Sequence, residues 1–156
     1  MCRIDQKHYE NVSSNAGCIV RVGDYLLSLT NRKSSRFDIP GGNMIVGESA
    51  QCTAHRETWE ETGFNVEVGK YLGTSPKGFR FYACELDDDF GGKVQNFPVP
   101  TWAQVEVSSI QLVDPFITSP KEWRFPDQLV QIRDMFNNVA EENSAQIEAM
   151  TEEKSN

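Results

Sequence analysis

The chain has 156 residues, a length that suits one domain with a single hydrophobic core. Apolar residues make up 38% and charged residues 24%, as in soluble globular proteins, and no apolar run approaches the roughly 18–20 residues of a membrane span. The net charge of −8 argues against a large electrostatic surface for duplex DNA. A small phosphorylated ligand stays compatible with this charge, because a metal ion can supply the missing positive charge.

Alternating apolar residues predict the strands. The first two form a hairpin, because only Gly23 and Asp24 separate two β-type runs. Ile39 is biased toward extended backbone because a proline follows it. In chain order, strands or extended segments are predicted at 17–22, 25–30, 37–40, 64–73, 79–86 and within 102–113.

Two helices are predicted. The first covers residues 49–62, where Ser49 can cap the start and Gly63 stops the helix. The second covers 126–136 and has a proline in its first turn. Strands on either side of a central helix, together with a closing helix, indicate one α/β domain over residues 1–140. Residues 141–156 contain five acids and one lysine and are expected to form a disordered tail.

Three glutamates share one face of the first helix, because Glu57, Glu60 and Glu61 are spaced at i, i+3 and i+4. Like charges at this spacing repel one another unless a cation neutralises them. Carboxylate oxygens suit Mg²⁺ or Mn²⁺. A solvated acidic surface is the competing interpretation. Arg56 and Glu48 favour a built site, because Glu48 can pair with the guanidinium fork and hold the loop in place.

The stretch from Gly42 to Phe64 resembles the Nudix box. That pattern is Gly, five residues, Glu, seven residues, Arg-Glu, an apolar position, any residue, Glu-Glu, any residue, Gly and an apolar position. Thr58 is the one departure, because the family usually has a bulky aliphatic residue there. The matching residues are Gly42, Glu48, Arg56, Glu57, Glu60, Glu61, Gly63 and Phe64, and "FDIPGG" is similar to the family's usual lead-in.

The resemblance implies an α/β/α sandwich with a mixed sheet, in which the box forms a loop–helix–loop motif. It also implies a pyrophosphohydrolase that uses Mg²⁺ or Mn²⁺ and cleaves a nucleoside diphosphate linked to another group. Glu57 and Glu61 would be the leading metal ligands and Glu60 a third or water-mediated one. The carbonyl of Gly42, or of Gly41, would complete the site.

Three further residues of the box have implied roles in orienting the loop and helix, namely Glu48, Arg56 and Gly63. The general base stays open between two candidates. In many family members it is a glutamate outside the box, and Glu106 lies on or beside a strand that follows the long loop 87–101. Glu60 is the competing candidate.

Substrate contacts are expected from residues outside the box. Arg36, with Arg32 and Lys33 beside it, and Arg80 are candidates for binding phosphate. Tyr82 stands 18 residues after the box, roughly where the family's dinucleoside polyphosphate hydrolases place a tyrosine. The candidates for stacking a base are Phe37, Tyr82, Trp102 and Trp123.

The leading substrate hypothesis is a nucleoside triphosphate, cleaved to monophosphate and pyrophosphate. Dinucleoside polyphosphates, nucleotide sugars or ADP-ribose, and RNA 5′-triphosphate ends are the alternatives. A nucleotide sensor without turnover is the alternative of another class. A small nucleotide is the expected partner, a homodimer is compatible, and neither duplex DNA nor a membrane is expected as a partner.

The four cysteines show no zinc or redox spacing. Cys18, Cys52 and Cys84 each lie in a predicted structured segment and are expected to be buried free thiols. The N-terminus lacks the apolar core of a signal peptide, which favours the cytoplasm. A disulfide that involves Cys2 is the expectation if the protein is exported.

Overall fold

The structure, a computed structural model, describes residues 1–87 and 94–139. The strands in this part of the chain are β1 (Ala16–Val22), β2 (Tyr25–Asn31), β3 (Arg36–Asp38), β4 (Gly41–Gly42), β5 (Glu67–Thr74), β6 (Arg80–Glu85), β7 (Asn96–Phe97) and β8 (Val107–Val113). They form one sheet in the order β5-β6-β1-β2-β8-β7, with β3 beside β2 and β4 beside β1. The sheet is mixed, because β1 and β6 run parallel while β1 and β2 run antiparallel.

The two predicted helices are present. Helix α1 (Ala50–Thr62) follows the short strand β4. Helix α2 covers residues 129–139 and is preceded by a 3₁₀ turn at Pro126–Gln128, so it starts later than predicted. The expected acidic tail at 141–156 lies outside the described residues. No helix in the described part of the chain is long and apolar enough to cross a membrane.

The sheet has an apolar cluster on each face, which confirms the predicted α/β/α sandwich. Leu27 and Leu29 of β2 belong to the cluster that packs against α1, together with Ala50 and Ala54. Leu26 of the same strand belongs to the opposite cluster. That cluster contains the predicted apolar face of the closing helix, namely Leu129, Ile132, Met135 and Phe136. The alternation along β2 follows from the two-residue period of side chains in a strand.

The ends of helix α1 match the sequence prediction. The Ser49 hydroxyl accepts a hydrogen bond from the Cys52 N–H at 3.2 Å. Gly63 ends the helix in the left-handed conformation, with φ of 77°, and its N–H donates to the Trp59 carbonyl. A residue with a side chain rarely adopts this backbone geometry, so the glycine fixes where the helix stops.

Thr58 occupies the aliphatic position of the box and is fully buried. Its Oγ1 has no hydrogen-bond partner among the described residues. Thr62, one turn later, is also buried, but its hydroxyl donates to the Thr58 carbonyl at 2.6 Å and accepts from the Phe64 N–H. The departure from the family pattern therefore leaves one unpaired polar atom in the core.

The cysteines correct the sequence expectation of free thiols. Two disulfides join Cys2 to Cys52 and Cys18 to Cys84, and all four cysteines are paired. The partners are 50 and 66 residues apart in sequence, so no local spacing indicated the pairing. Cys18 and Cys84 meet because β1 and β6 are neighbours.

We expect Thr58→Val to stabilise the protein by about 1 kcal/mol, because valine keeps the shape and removes an unpaired buried hydroxyl. Thr62→Val is the matched control on the same helix and should destabilise, since it removes two hydrogen bonds. Chemical denaturation of the three proteins measures both changes. Equal destabilisation by the two substitutions would contradict this description of Thr58.

Each disulfide should raise the free energy of unfolding by about 2–4 kcal/mol. Peptide mapping without reductant should recover two joined peptide pairs, one with Cys2 and Cys52 and one with Cys18 and Cys84. Thermal unfolding with and without reductant measures the stabilisation. Four titratable thiols in the native protein, purified under oxidising conditions, would refute the pairing.

Candidate active site

Arg56 holds the loop before helix α1 against the helix. Its guanidinium forms a two-pronged pair with Glu48, with Nε–Oε2 at 2.9 Å and Nη2–Oε1 at 3.1 Å. Nη2 also donates to the Asn43 carbonyl at 2.7 Å. The Thr53 hydroxyl and the Ile45 N–H donate to Glu48 as well. The predicted orienting role of Glu48 and Arg56 therefore has a direct geometric basis.

These contacts also set the protonation of the pair. Burial opposes ionisation of Glu48, but the hydrogen bonds from Arg56, Thr53 and the Ile45 N–H outweigh it and hold its pKa below the ordinary value. The hydrogen bonds that Arg56 donates to Glu48 are the largest cause that raises the pKa of Arg56. The pair therefore stays charged throughout the physiological range.

Arg56 also contacts two of the three predicted metal ligands. Its Nη1 donates to Glu57 Oε1 at 2.9 Å and to Glu60 Oε2 at 3.2 Å. The Glu57 side chain is largely buried, at 17% exposed, whereas that of Glu60 is 51% exposed. One guanidinium thus bridges three carboxylates and offsets part of their negative charge.

The glycine pair allows the carboxylates to approach the backbone. A Cβ atom at Gly42 would lie 2.5–2.7 Å from the carboxyl atoms of Glu57, so a side chain there would displace that carboxylate. The Gly41 N–H donates to Glu61 Oε1 at 2.7 Å. Strand β4 pairs with β1 at Ala16 and Gly17, which holds both glycines beside the helix. The structure therefore brings together Gly41, Gly42, Glu57 and Glu61, as the sequence predicted.

Several carboxylates act on one another at this point. Burial is the main cause that raises the pKa of Glu61 from 4.5 to about 9, against the opposing hydrogen bond from Gly41. The negative charges of Asp38, Glu57 and Glu106 raise it further. The pKa of Glu57 is also raised, first by burial and then by the charges of Glu60 and Glu106. The site is thus short of positive charge.

Glu106 belongs to this group through its charge, although its side chain is exposed. It lies in the turn immediately before β8. The Arg32 N–H donates to the Glu106 carbonyl at 2.8 Å, and Arg32 Nε donates to the Gln104 carbonyl. Arg32, expected near phosphate, instead anchors the turn that carries the candidate base.

Asp38 is a site residue that the sequence reasoning did not select. It ends β3, accepts a hydrogen bond from the Ile39 N–H at 2.9 Å, and pairs with Arg124 Nη1 at 3.3 Å. Burial raises the pKa of Asp38 to about 6, although Arg124 opposes the shift. An acid in the extended lead-in to the glycine pair was a usable indication. No local pattern in the sequence indicated the pairing of Asp38 with Arg124, because 86 residues separate the two.

Two predicted substrate contacts are internal to the fold. Tyr82 is fully buried, so its ring has no open face, which corrects the expectation that it stacks a base. Arg80 donates to Tyr82 Oη at 3.0 Å and to Glu10 Oε2 at 2.6 Å. Strand β1 lies between β6 and β4, so Arg80 is separated from the glycine pair by one strand. The structure does not bring Arg80 and Tyr82 to the carboxylates.

The remaining aromatic and basic candidates differ in exposure. Arg36 is exposed at the start of β3, and Phe37 beside it is partly exposed. Trp123 is 1% exposed and meets the Phe37 ring edge-on at 5.7 Å, so it cannot stack a base either. Trp102 is exposed, stacks on Trp59, and donates from its indole nitrogen to the Glu60 carbonyl at 2.9 Å.

The donor set at the site fits a hard divalent cation, because it consists of carboxylate and backbone oxygens. Within residues 1–87 and 94–139, no three His, Cys, Asp or Glu side chains are already arranged around one point. Glu57 and Glu60 face Arg56 and Glu61 faces the Gly41 N–H. A cation would therefore have to draw these carboxylates from their present partners.

We expect the metal-free protein to lose stability as pH rises from about 4.5 to about 9. The folded state holds a proton on Glu61 that the unfolded chain releases, so folding is favoured at the acid end of that window and less so above it. Glu61→Gln should flatten the profile and raise the unfolding temperature at pH 8, by about 2–4 °C per kcal/mol. Thermal scans in chelator from pH 5 to 9 measure this.

The half-exposed Glu60 provides the control variant, since Glu60→Gln should leave the slope of that profile nearly unchanged. A wild-type profile that stays flat between pH 5 and 9 would show that Glu61 titrates normally.

Comparison with known proteins agrees with this geometry. A MutT-like protein from Streptomyces ambofaciens is 37% identical over 60 residues, which is 38% of this chain and 39% of that protein. The chain thus spans well under half of that relative. A NUDIX hydrolase from Nitrosomonas europaea superimposes with a TM-score of 0.63 at 15% identity, covering 83% of this chain and 90% of the other.

An Ap4A hydrolase from C. elegans superimposes with a TM-score of 0.59 at 17% identity, covering 81% of this chain and 98% of the other. At such identities the likeness to solved structures shows the shared fold alone. The family model for the NUDIX domain matches residues 13–135, which is more than half of the chain. With the box residues assembled as described, the chain belongs to the NUDIX domain family.

Proposed function

We propose that this protein is a divalent-metal-dependent pyrophosphohydrolase that cleaves a nucleoside triphosphate to a monophosphate and pyrophosphate. One observation carries the proposal. Glu57 and Glu61 are held against the Gly41-Gly42 backbone in a largely buried setting, and the pKa values of both are raised. Such a cluster is unfavourable by itself and becomes favourable when a cation and an anionic substrate arrive together.

Glu57, Glu61 and Glu60 would hold Mg²⁺ or Mn²⁺, with the carbonyl of Gly42 as a further oxygen ligand. When bound, such an ion neutralises the phosphate oxygens and acidifies a water molecule. The residues of the chain then have separate tasks. Arg56 keeps Glu48 and the loop in position through its Nε and Nη2 contacts, and its Nη1 contacts Glu57 and Glu60, two of the residues that would hold the cation.

Glu106 is the better supported of the two candidates for the general base. Its charge acts on both Glu57 and Glu61 and its side chain is exposed, and both observations support this role. The Glu60 carboxylate already accepts a hydrogen bond from Arg56. Glu60 is also one of the residues that would hold the cation. Glu106 would take the proton from the attacking water.

Two residues outside the box are candidates for contacting the substrate. Arg36 and Phe37 lie on β3 next to Asp38 and stay as candidate contacts. Nucleotide sugars, ADP-ribose and RNA 5′-triphosphate ends remain alternatives. Dinucleoside polyphosphates also remain, since a structural neighbour is an Ap4A hydrolase, but the tyrosine that suggested them is buried at Tyr82.

A nucleotide sensor without turnover is the alternative of another class. Retention of every carboxylate of the box, and their assembly at one place, favours catalysis over sensing. A homodimer and a cytoplasmic location are expectations from the sequence. The two disulfides favour an oxidising compartment instead.

The test is a metal-dependent hydrolysis screen with nucleoside triphosphates, ADP-ribose, a nucleotide sugar and diadenosine polyphosphates. We expect Glu61→Gln and Glu57→Gln each to lower kcat roughly 100-fold or more, with the fold intact by circular dichroism. Glu85→Gln, an exposed residue on β6, is the control and should retain full activity.

Activity within about threefold of the wild type in the Glu61→Gln variant would refute the assignment of the metal site, because a lost ligand costs more than that. Binding of a nucleotide by calorimetry without any product would support the sensor instead. Product identity, as pyrophosphate or as a second nucleotide, decides among the substrate classes.

A further inference from the structure

The sheet face opposite helix α1 changes character toward the active-site end. Along β2, Leu26 points away from α1 into the cluster around helix α2, and the next residues with the same orientation are Ser28 and Thr30. Each has a polar partner on β8, since Ser28 pairs with Gln111 and Thr30 with Ser109. Four polar side chains therefore form a patch beside the apolar cluster of this face: Ser28, Thr30, Ser109 and Gln111.

The Gln111 amide in this patch is buried, and only its oxygen has hydrogen-bond partners among the described residues. Gln111 is 8% exposed. Its Oε1 accepts from Ser109 Oγ at 2.6 Å and from Thr30 Oγ1 at 3.5 Å. The 2.6 Å contact has the length of a bond between two oxygens and is short for a nitrogen donor, which favours the orientation with Oε1 toward the two hydroxyls. Nε2 has no hydrogen-bond partner among the described residues.

A buried amide nitrogen without an acceptor is unfavourable, and native structures rarely keep one without a reason. In this orientation the hydroxyls of Ser109 and Thr30 donate to Oε1, and Nε2 keeps both of its N–H groups for other acceptors. The patch thus presents two N–H donors and requires an acceptor from outside the described residues. A carbonyl oxygen of a ligand is a suitable acceptor.

The surroundings of the patch suit a flat ring. Phe37 pairs with Thr30 across β3 and β2, and its ring is partly exposed. Asn96 pairs with Gln111 from β7 and is exposed. An aromatic ring beside hydrogen-bonding side chains is the usual composition of a site for a nucleobase.

The patch is also close to the carboxylate site along the chain. Ser109 follows Glu106 by three residues, which is at most about 10 Å of extended strand. Phe37 directly precedes Asp38, whose charge acts on Glu61. Glu106 and Asp38 thus lie within a few residues of the patch on two strands that both pair with β2.

We propose that Gln111 determines base specificity by donating a hydrogen bond to a keto oxygen of the substrate's nucleobase. The proposal rests on the proposed function, because it names the substrate class of the same site. Guanine, hypoxanthine and uracil offer such an oxygen. The exocyclic amino group of adenine would set donor against donor at this position, and a site built to donate discriminates strongly against that arrangement.

The experiment compares kcat/KM for GTP and ITP with that for ATP in the wild type, in Gln111→Met and in Gln111→Glu. Both variants keep the length of the side chain and remove its two N–H donors. We expect the wild type to prefer the keto bases and each variant to lose roughly tenfold of that preference. The matched control is Gln131→Met on helix α2, which loses a hydrogen bond to the Thr74 carbonyl and should keep the preference.

Calorimetry with IMP and AMP measures the same discrimination without turnover, in the wild type and in each variant. Hydrolysis of triphosphates with an equal preference in wild type and variants would overturn the role of Gln111 and leave the proposed function standing. Absence of all hydrolysis would overturn the proposed function. If no triphosphate is hydrolysed, the calorimetry still tests Gln111. Wild-type protein that binds IMP more tightly than AMP, with the difference lost in the variants, supports the role of Gln111, and equal binding of IMP and AMP by the wild type overturns it.

Discussion

A single guanidinium organises the centre of this molecule. Arg56 contacts Glu48, Glu57 and Glu60 and also the Asn43 carbonyl, so the loop and the helix behave as one unit. Without that positive charge the acidic face of α1 would repel itself, and the pKa of Glu61 shows that the local balance is already unfavourable. A cation bound beside these carboxylates would relieve their mutual repulsion.

The sheet contributes by bringing separate chain segments to this helix. The backbone of β4 approaches the carboxylates because glycine leaves room for them. The turn before β8 supplies Glu106, and β3 supplies Asp38. These side chains lie at strand ends, which support them rigidly. The residues that would contact the variable part of a substrate lie farther along the same strands. A common reaction centre can thus coexist with different base preferences.

The parts that sequence reasoning could predict are local. Spacing along one helix placed Glu57 and Glu61 together, and Ser49 and Gly63 marked the ends of that helix, because caps depend on neighbouring residues. Contacts between distant segments left no such indication. The pair of Asp38 with Arg124 and both disulfides depend on strand order, which periodicity does not reveal. The burial of Tyr82 follows from the same cause, since nothing local distinguishes a tyrosine under a helix from one at a surface.

The Trp102 indole joins the end of helix α1 to the loop that leads to Glu106. It donates to the Glu60 carbonyl while its ring stacks on Trp59, so two of the three tryptophans report on this junction. The third, Trp123, is enclosed in the opposite cluster. The intrinsic fluorescence of the unmodified protein therefore reports on this junction. Collisional quenching by a soluble agent separates the signal of the exposed indole pair from that of the enclosed Trp123.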